Sequence, residues 1–95
     1  MKGTCLGIAH KKGTYDGNDY DNYVFFVSFE ADRNMLGGLA CKQFKLRAFH
    51  LIEACEGVTG VQPIKDDNGL KQLIGKRLKI YADKYDVIEE LFLCK

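Results

Sequence analysis

Ninety-five residues, 46% hydrophobic and 28% charged, suffice for one domain, residues 1–95, with a single core and little surplus for a large structureless insert. The formal net charge is +1, from 14 Lys and Arg against 13 Asp and Glu, so affinity for a polyanion has to come from segregation of charge, not from its sum. No apolar run reaches the roughly 20 residues of a membrane-spanning helix, and no export signal is evident, so a cytoplasmic protein without membrane contact is expected.

Residues 2–12 read as a first strand. Thr4, Leu6, Ile8 and His10 fall on one face and Cys5, Gly7, Ala9 and Lys11 on the other; Gly3 and Gly7 let the strand coil around a curved sheet. Residues 13–22 are dense in turn formers. Asp16-Gly17 and Gly17-Asn18 predict a tight reversal, so the first two strands form a long hairpin. Residues 23–31, Tyr-Val-Phe-Phe-Val-Ser-Phe-Glu-Ala, make the strongest strand, aromatic and β-branched on both faces. A partly closed barrel accommodates such a strand better than an open sheet with one wet face.

Residues 32–38 form a loop with a glycine pair, and 39–46 a third strand, where a bulge near Lys42 would turn Cys41, Phe44 and Leu46 inward together. Residues 47–56 read as a helix with Phe49 and Ile52, and with them Leu51 and Cys55, on its buried stripe and Gly57 as its C-terminal cap. Residues 59–68, with the lone proline Pro63, are irregular, and a short helical turn is expected over 70–74, ended by Gly75. The last two strands cover about 77–82 and 86–94. The chain is therefore mainly β, a five-stranded OB-fold-like partly open barrel with a helix between strands 3 and 4.

Cys5, Cys41, Cys55 and Cys94 include no C-x-x-C pair, which argues against a zinc ribbon or a thioredoxin-type site. Their small or apolar neighbours suit reduced, buried thiols in a non-oxidising compartment. The acidic loop, Asp16, Asp19 and Asp21 with Asn18 and Asn22, is read as turn chemistry. An EF-hand count from Asp16 puts Val27 where a bidentate Glu belongs, so no metal is expected. His10 and His50 are the only imidazoles and are read as structural, and no nucleophile or phosphate-cradle motif is present. No enzymatic activity and no cofactor are expected.

The alternating segment Arg77-Leu78-Lys79-Ile80-Tyr81 puts cations and a ring on one face of the fourth strand, which is what a flexible polyanion needs: phosphate partners interleaved with stacking surfaces. Lys42, Lys45, Arg77 and Lys79 are the expected phosphate contacts, within a basic set that also includes Lys11, Lys12, Arg47 and Lys76. Tyr20 and Tyr81 are the expected stacking residues, with Tyr15 and Tyr85 also available, provided the third and fourth strands flank one groove.

Two segments also carry a resemblance. Lys11-Lys12-Gly13-Thr14-Tyr15-Asp16-Gly17 followed by Tyr20-Asp21-Asn22-Tyr23, and then Ile74-Gly75-Lys76-Arg77-Leu78-Lys79-Ile80-Tyr81-Ala82-Asp83-Lys84-Tyr85, are similar to small proteins encoded by Gram-positive phages and conjugative elements, related to the filamentous-phage gene-five-type single-stranded DNA-binding proteins. The resemblance implies an OB-fold, a homodimer and sequence-independent binding of single-stranded DNA in replication or transfer. The alternative is a small interaction or assembly module that dimerises or docks a partner through a strand edge or the Tyr20 loop. A continuous positive stripe beside exposed rings favours DNA; an apolar patch rimmed by mixed charge favours a protein.

Overall fold

Aromatic and β-branched residues at consecutive positions of the second strand give it two apolar faces, and the sheet is organised around it. The computed structural model describes residues 1–29 and 34–94. Five strands, β1 (Lys2–Tyr15), β2 (Asn18–Phe29), β3 (Ala40–Arg47), β4 (Arg77–Ala82) and β5 (Ile88–Leu93), form one antiparallel sheet in the order β3-β2-β1-β4-β5. The order is OB-like, with a short helical segment between β3 and β4. The sheet is not closed into a barrel: its edge strands meet at one parallel bridge, Lys45 with Val87. The predicted continuation of the second strand to Ala31, and the start of the next loop at Asp32, lie outside the described residues.

The first hairpin is longer than expected. The strands run through the predicted loop to a two-residue turn at Asp16-Gly17, both at positive φ (54° and 81°), the backbone of a type I′ turn. The turn chemistry was legible; its extent was not, because Thr14, Tyr15 and Tyr20 continue the ladder once the turn has set the register. β1 also carries a bulge at Leu6. Cys5 pairs with Val27 and Ile8 with Phe25, so Cys5 and Ile8 face the core together while Leu6 is exposed. The uninterrupted alternation read from the sequence is corrected there.

No bulge occurs in β3. Its register with β2 runs from Asn22–Arg47 to Phe29–Ala40 without a break. Phe44 and Leu46 are buried, Lys42 shares their side, and Cys41 projects to solvent with Gln43, Lys45 and Arg47. The predicted helix over 47–56 is a 3₁₀ turn (Ala48–His50) followed by α1 (Leu51–Ala54). Arg47 is still extended, and the tighter winding after it shifts the stripe: Leu51 and Cys55 are buried as expected and Ala54 joins them, while Phe49 and Ile52 are exposed. The second helix, α2 (Asp67–Lys71), begins three residues before the predicted turn because the Asp66 carboxylate caps it, accepting from the Gly69 N–H at 3.0 Å.

The core gathers Tyr23, Phe25 and Val27 of β2, Phe44 and Leu46 of β3, Leu78 and Ile80 of β4, and Ile88 and Leu91 of β5, closed below by Leu51, Leu70 and Leu73. Fully burying each such side chain stabilises by roughly 1.5–3 kcal/mol relative to exposure. None of the four cysteines is in a disulfide, but only Cys5 and Cys55 are buried; Cys41 is exposed and Cys94 partly so. Among the described residues no helix is long and apolar enough to cross a membrane.

Candidate nucleic-acid interface

Period-two alternation in β2 sends Tyr23, Phe25 and Val27 to the core and Tyr20, Asn22, Val24 and Phe26 to the outer side of the sheet. Register then assembles a surface. Lys45 lies opposite Val24, Arg47 and Lys11 flank Asn22 from β3 and β1, and Gly13 lies opposite Tyr20. The result is an open trough lined by Lys11, Tyr15, Tyr20, Asn22, Val24, Gln43, Lys45 and Arg47, with Asp16, Asn18 and Asp19 on its rim at the hairpin tip. Lys11, Lys45 and Arg47 form no ion pair with any described residue.

The Tyr20 ring lies over Gly13 of β1. A Cβ on Gly13 would come within 2.5 Å of the Tyr20 hydroxyl oxygen and 2.8 Å of Cζ, so only glycine lets the ring lie across β1. The ring remains 42% exposed. At the same end of the trough, Tyr20, Asn22 and Arg47 share a second cleft with Phe49. Phe49 is 84% exposed, an expensive position for an apolar ring that has no packing to compensate. Sequence reasoning assigned Phe49 to the core; the signal that it continues the trough is its place two residues after Arg47, the last outward-facing residue of β3.

Of the expected contact residues, Tyr20 and Lys45 share the trough. Arg77, Lys79 and Tyr81 lie on β4, separated from β3 in the sheet by β1 and β2. There Lys79 Nζ sits 5.3 Å from the Tyr81 ring centroid, and Tyr81 meets Phe92 edge-on at 5.7 Å. The Tyr81 hydroxyl beside it raises the Lys79 pKa above its ordinary value. Lys42 is not brought together with the others. It faces the opposite side from Lys45 and pairs with Asp86 at 3.0 Å. Tyr85 sits in the β4–β5 loop under Lys84, 5.1 Å from Nζ to ring centroid. That loop is pinned by the Asp83 carboxylate, which accepts from the Tyr85 and Val87 N–H groups at 2.8 and 3.0 Å.

The acidic loop divides. Asp21 does not line the trough itself, though with Asp19 it lines the cleft that holds Phe49; its Oδ1 is 2.5 Å from His10 Nε2 and its Oδ2 3.9 Å from Lys12 Nζ. His10 Nδ1 lies 2.9 Å from Asp67 Oδ2, and the Tyr23 hydroxyl donates to Asp67 Oδ1 at 2.6 Å. The Asp67 and Asp21 carboxylates raise the His10 pKa, while the Tyr23 hydroxyl and His10 together lower that of Asp67. Burial, reinforced by Asp67, pushes the Tyr23 phenol up. Asp19 accepts from the Thr14 hydroxyl at 2.7 Å. No cluster of His, Cys, Asp and Glu suited to a metal occurs among the described residues.

His50 contacts the Glu89 carbonyl and the Glu53 carboxylate at 2.9 and 3.2 Å, a structural role. Burial pushes Cys5 and Cys55 up to about 11, so both stay thiols at neutral pH and neither is an activated nucleophile. What the trough offers chemically is three cations that form no ion pair with a described residue, beside exposed rings and with Asp16 and Asp19 at one end, the means to hold phosphates and stack bases. No protein-family model, curated protein or solved structure matches the chain.

Proposed function

We propose that this protein is a non-catalytic, sequence-independent binder of single-stranded DNA, acting in the cytoplasm in replication or transfer of a phage or mobile element. The observation that carries the reading is the trough, where Lys11, Lys45 and Arg47 lie among Tyr15, Tyr20 and Phe49. OB-type domains bind oligonucleotides on the face of strands 2 and 3 and the loops beside it, which is where this trough lies. Lys11, Lys45 and Arg47 contact phosphates; Tyr20, Phe49 and Tyr15 offer faces for bases. Arg77, Lys79 and Tyr81 are a secondary contact set on β4. DNA as the ligand, and a homodimer as the active species, rest on the sequence resemblance. Labelled oligo-dT titrated at several salt concentrations tests the reading: binding should weaken with a linear dependence of log affinity on log salt. Absence of binding at low salt would refute it. Sedimentation of the free protein tests the dimer.

A second reading has its own observation. Leu36 and Leu39, in the loop before β3, are exposed apolar side chains away from the trough. They suit a protein-docking module, the reading that remains if oligonucleotides fail to bind.

A further inference from the structure

His10 stands between two carboxylates on two different elements. Its Nε2 is 2.5 Å from Asp21 of β2 and its Nδ1 is 2.9 Å from Asp67 of α2. A carboxylate can only accept, so both contacts are hydrogen bonds only when both ring nitrogens carry protons. A neutral imidazole has one N–H, and its other nitrogen would then present a lone pair to an oxygen anion. The bridge therefore exists in full only with the imidazolium. It is reachable by protons, since the His10 side chain is 24% exposed.

The groups around it are few. From β1, Lys12 faces Asp21 at 3.9 Å. From β2, the Tyr23 ring lies 4.2 Å from the imidazole between centroids and its hydroxyl binds Asp67. From α2 come Asp67 itself and Lys71, which line one small cleft with His10, while Asp66 is held at the helix cap. Without the imidazolium, Asp21 and Asp67 lose the positive charge between them, and Lys12, 3.9 Å from Asp21, remains.

What the bridge fixes is the hairpin. Asp21 is flanked in β2 by Tyr20 and Asn22, both of which line the trough. We propose that His10 is a proton-dependent strap that fastens the β1–β2 hairpin to α2, so that protonation sets Tyr20 in the trough and strengthens oligonucleotide binding. The strap rests on the nucleic-acid reading only for its effect on binding; its effect on the hairpin stands alone.

Two measurements on the intact protein separate these. NMR titration of the His10 ring with amide exchange of residues 14–20 reads the strap without any ligand. His10 should titrate above its ordinary 6.5, and the hairpin amides should lose protection as it deprotonates. Fluorescence anisotropy with labelled oligo-dT at fixed ionic strength reads the consequence: affinity should fall about fivefold or more as pH rises through that titration. His10→Gln should flatten both pH profiles, whereas His50→Gln should leave both as in wild type. Hairpin protection that ignores His10 titration overturns the strap, as does an unchanged pH slope in His10→Gln. If wild-type hairpin protection follows His10 but oligo-dT does not bind at any pH, the strap stands and the nucleic-acid reading falls.

Discussion

The outer sides of β3 and β4 both present cations at alternate positions near rings, but the neighbouring strand decides what those groups are free to do. On β4 Lys79 and Tyr81 are committed to each other and to a neighbour: Lys79 rests over Tyr81, and Tyr81 abuts Phe92, a residue of β5 paired opposite Lys79. In the trough, Lys45 and Arg47 make no ion pair with a described residue, and Tyr20 is opposed by Gly13, which supplies no side chain. Alternation along one strand fixes which side a residue takes; availability is a property of the residue opposite. A ligand at β4 has first to displace an existing cation–ring contact, worth about 0.5–1 kcal/mol at an exposed site.

Breaking the trough should therefore cost more than breaking the β4 set. Tyr20→Ala should weaken oligo-dT binding by about 1–3 kcal/mol with the salt slope nearly unchanged, because stacking releases no counterions. Gly13→Ala keeps the tyrosine but moves its ring, so it should lose part of the same affinity while the melting temperature stays close to wild type. An unaltered affinity in both variants would remove Tyr20 from the site.

Lys45→Ala combined with Arg47→Ala should next reduce the salt slope by about 1.4 for two lost phosphate contacts on a single strand, similarly across oligonucleotide sequences. Lys79→Ala and Tyr81→Ala are expected to have smaller effects, within about 1 kcal/mol, since each group already has a protein partner. A β4 variant weaker than Tyr20→Ala in direct titration would invert the comparison.

The smallest effect is on stability and follows pH through His10, which belongs to neither region. The folded-state pKa of His10 is raised above 6.5, so the stability from its carboxylate contacts is fully present below about pH 6.5 and is lost as pH rises through the raised value. Asp67 is lowered from 3.8, so its contribution is present above that value and is lost as pH falls through the lowered one. Thermal melts should plateau between these limits and decline on either side, and His10→Gln should remove the alkaline decline.

The five strands, their order and the Asp16-Gly17 turn were readable because period, β-branched content and turn chemistry agree in those segments. The helical phase after β3 was not, because it depends on where Arg47 leaves the sheet, and an apolar stripe rotates by nearly a third of a turn for each residue of error. The bulge at Leu6 was invisible for a related reason. One extra residue changes the facing of everything before it, and only pairing with β2 reveals it. For the site, Lys45, Tyr20 and the cations of β4 could be named as surface groups, but not sorted into one surface, since β3 and β4 are distant in the sheet order. Phe49 was lost with the helical phase, and Gly13 acquires meaning only from the ring above it.

The seam between β3 and β5 has a mechanical consequence. It is a short parallel bridge at Lys45 and Val87, with the Lys45 N–H donating to the Asp86 carbonyl at 2.9 Å and the Lys42–Asp86 ion pair beside it. The residue whose side chain supplies the middle of the trough thus also supplies the stitch that joins the two sheet edges. Closure of the sheet and occupation of the trough are then linked equilibria: whatever holds Lys45 in place from outside favours the joined edges, and whatever parts the edges withdraws Lys45 from its neighbours by the same free energy. A bound strand would act as a splint across a joint that the chain alone secures with one short bridge.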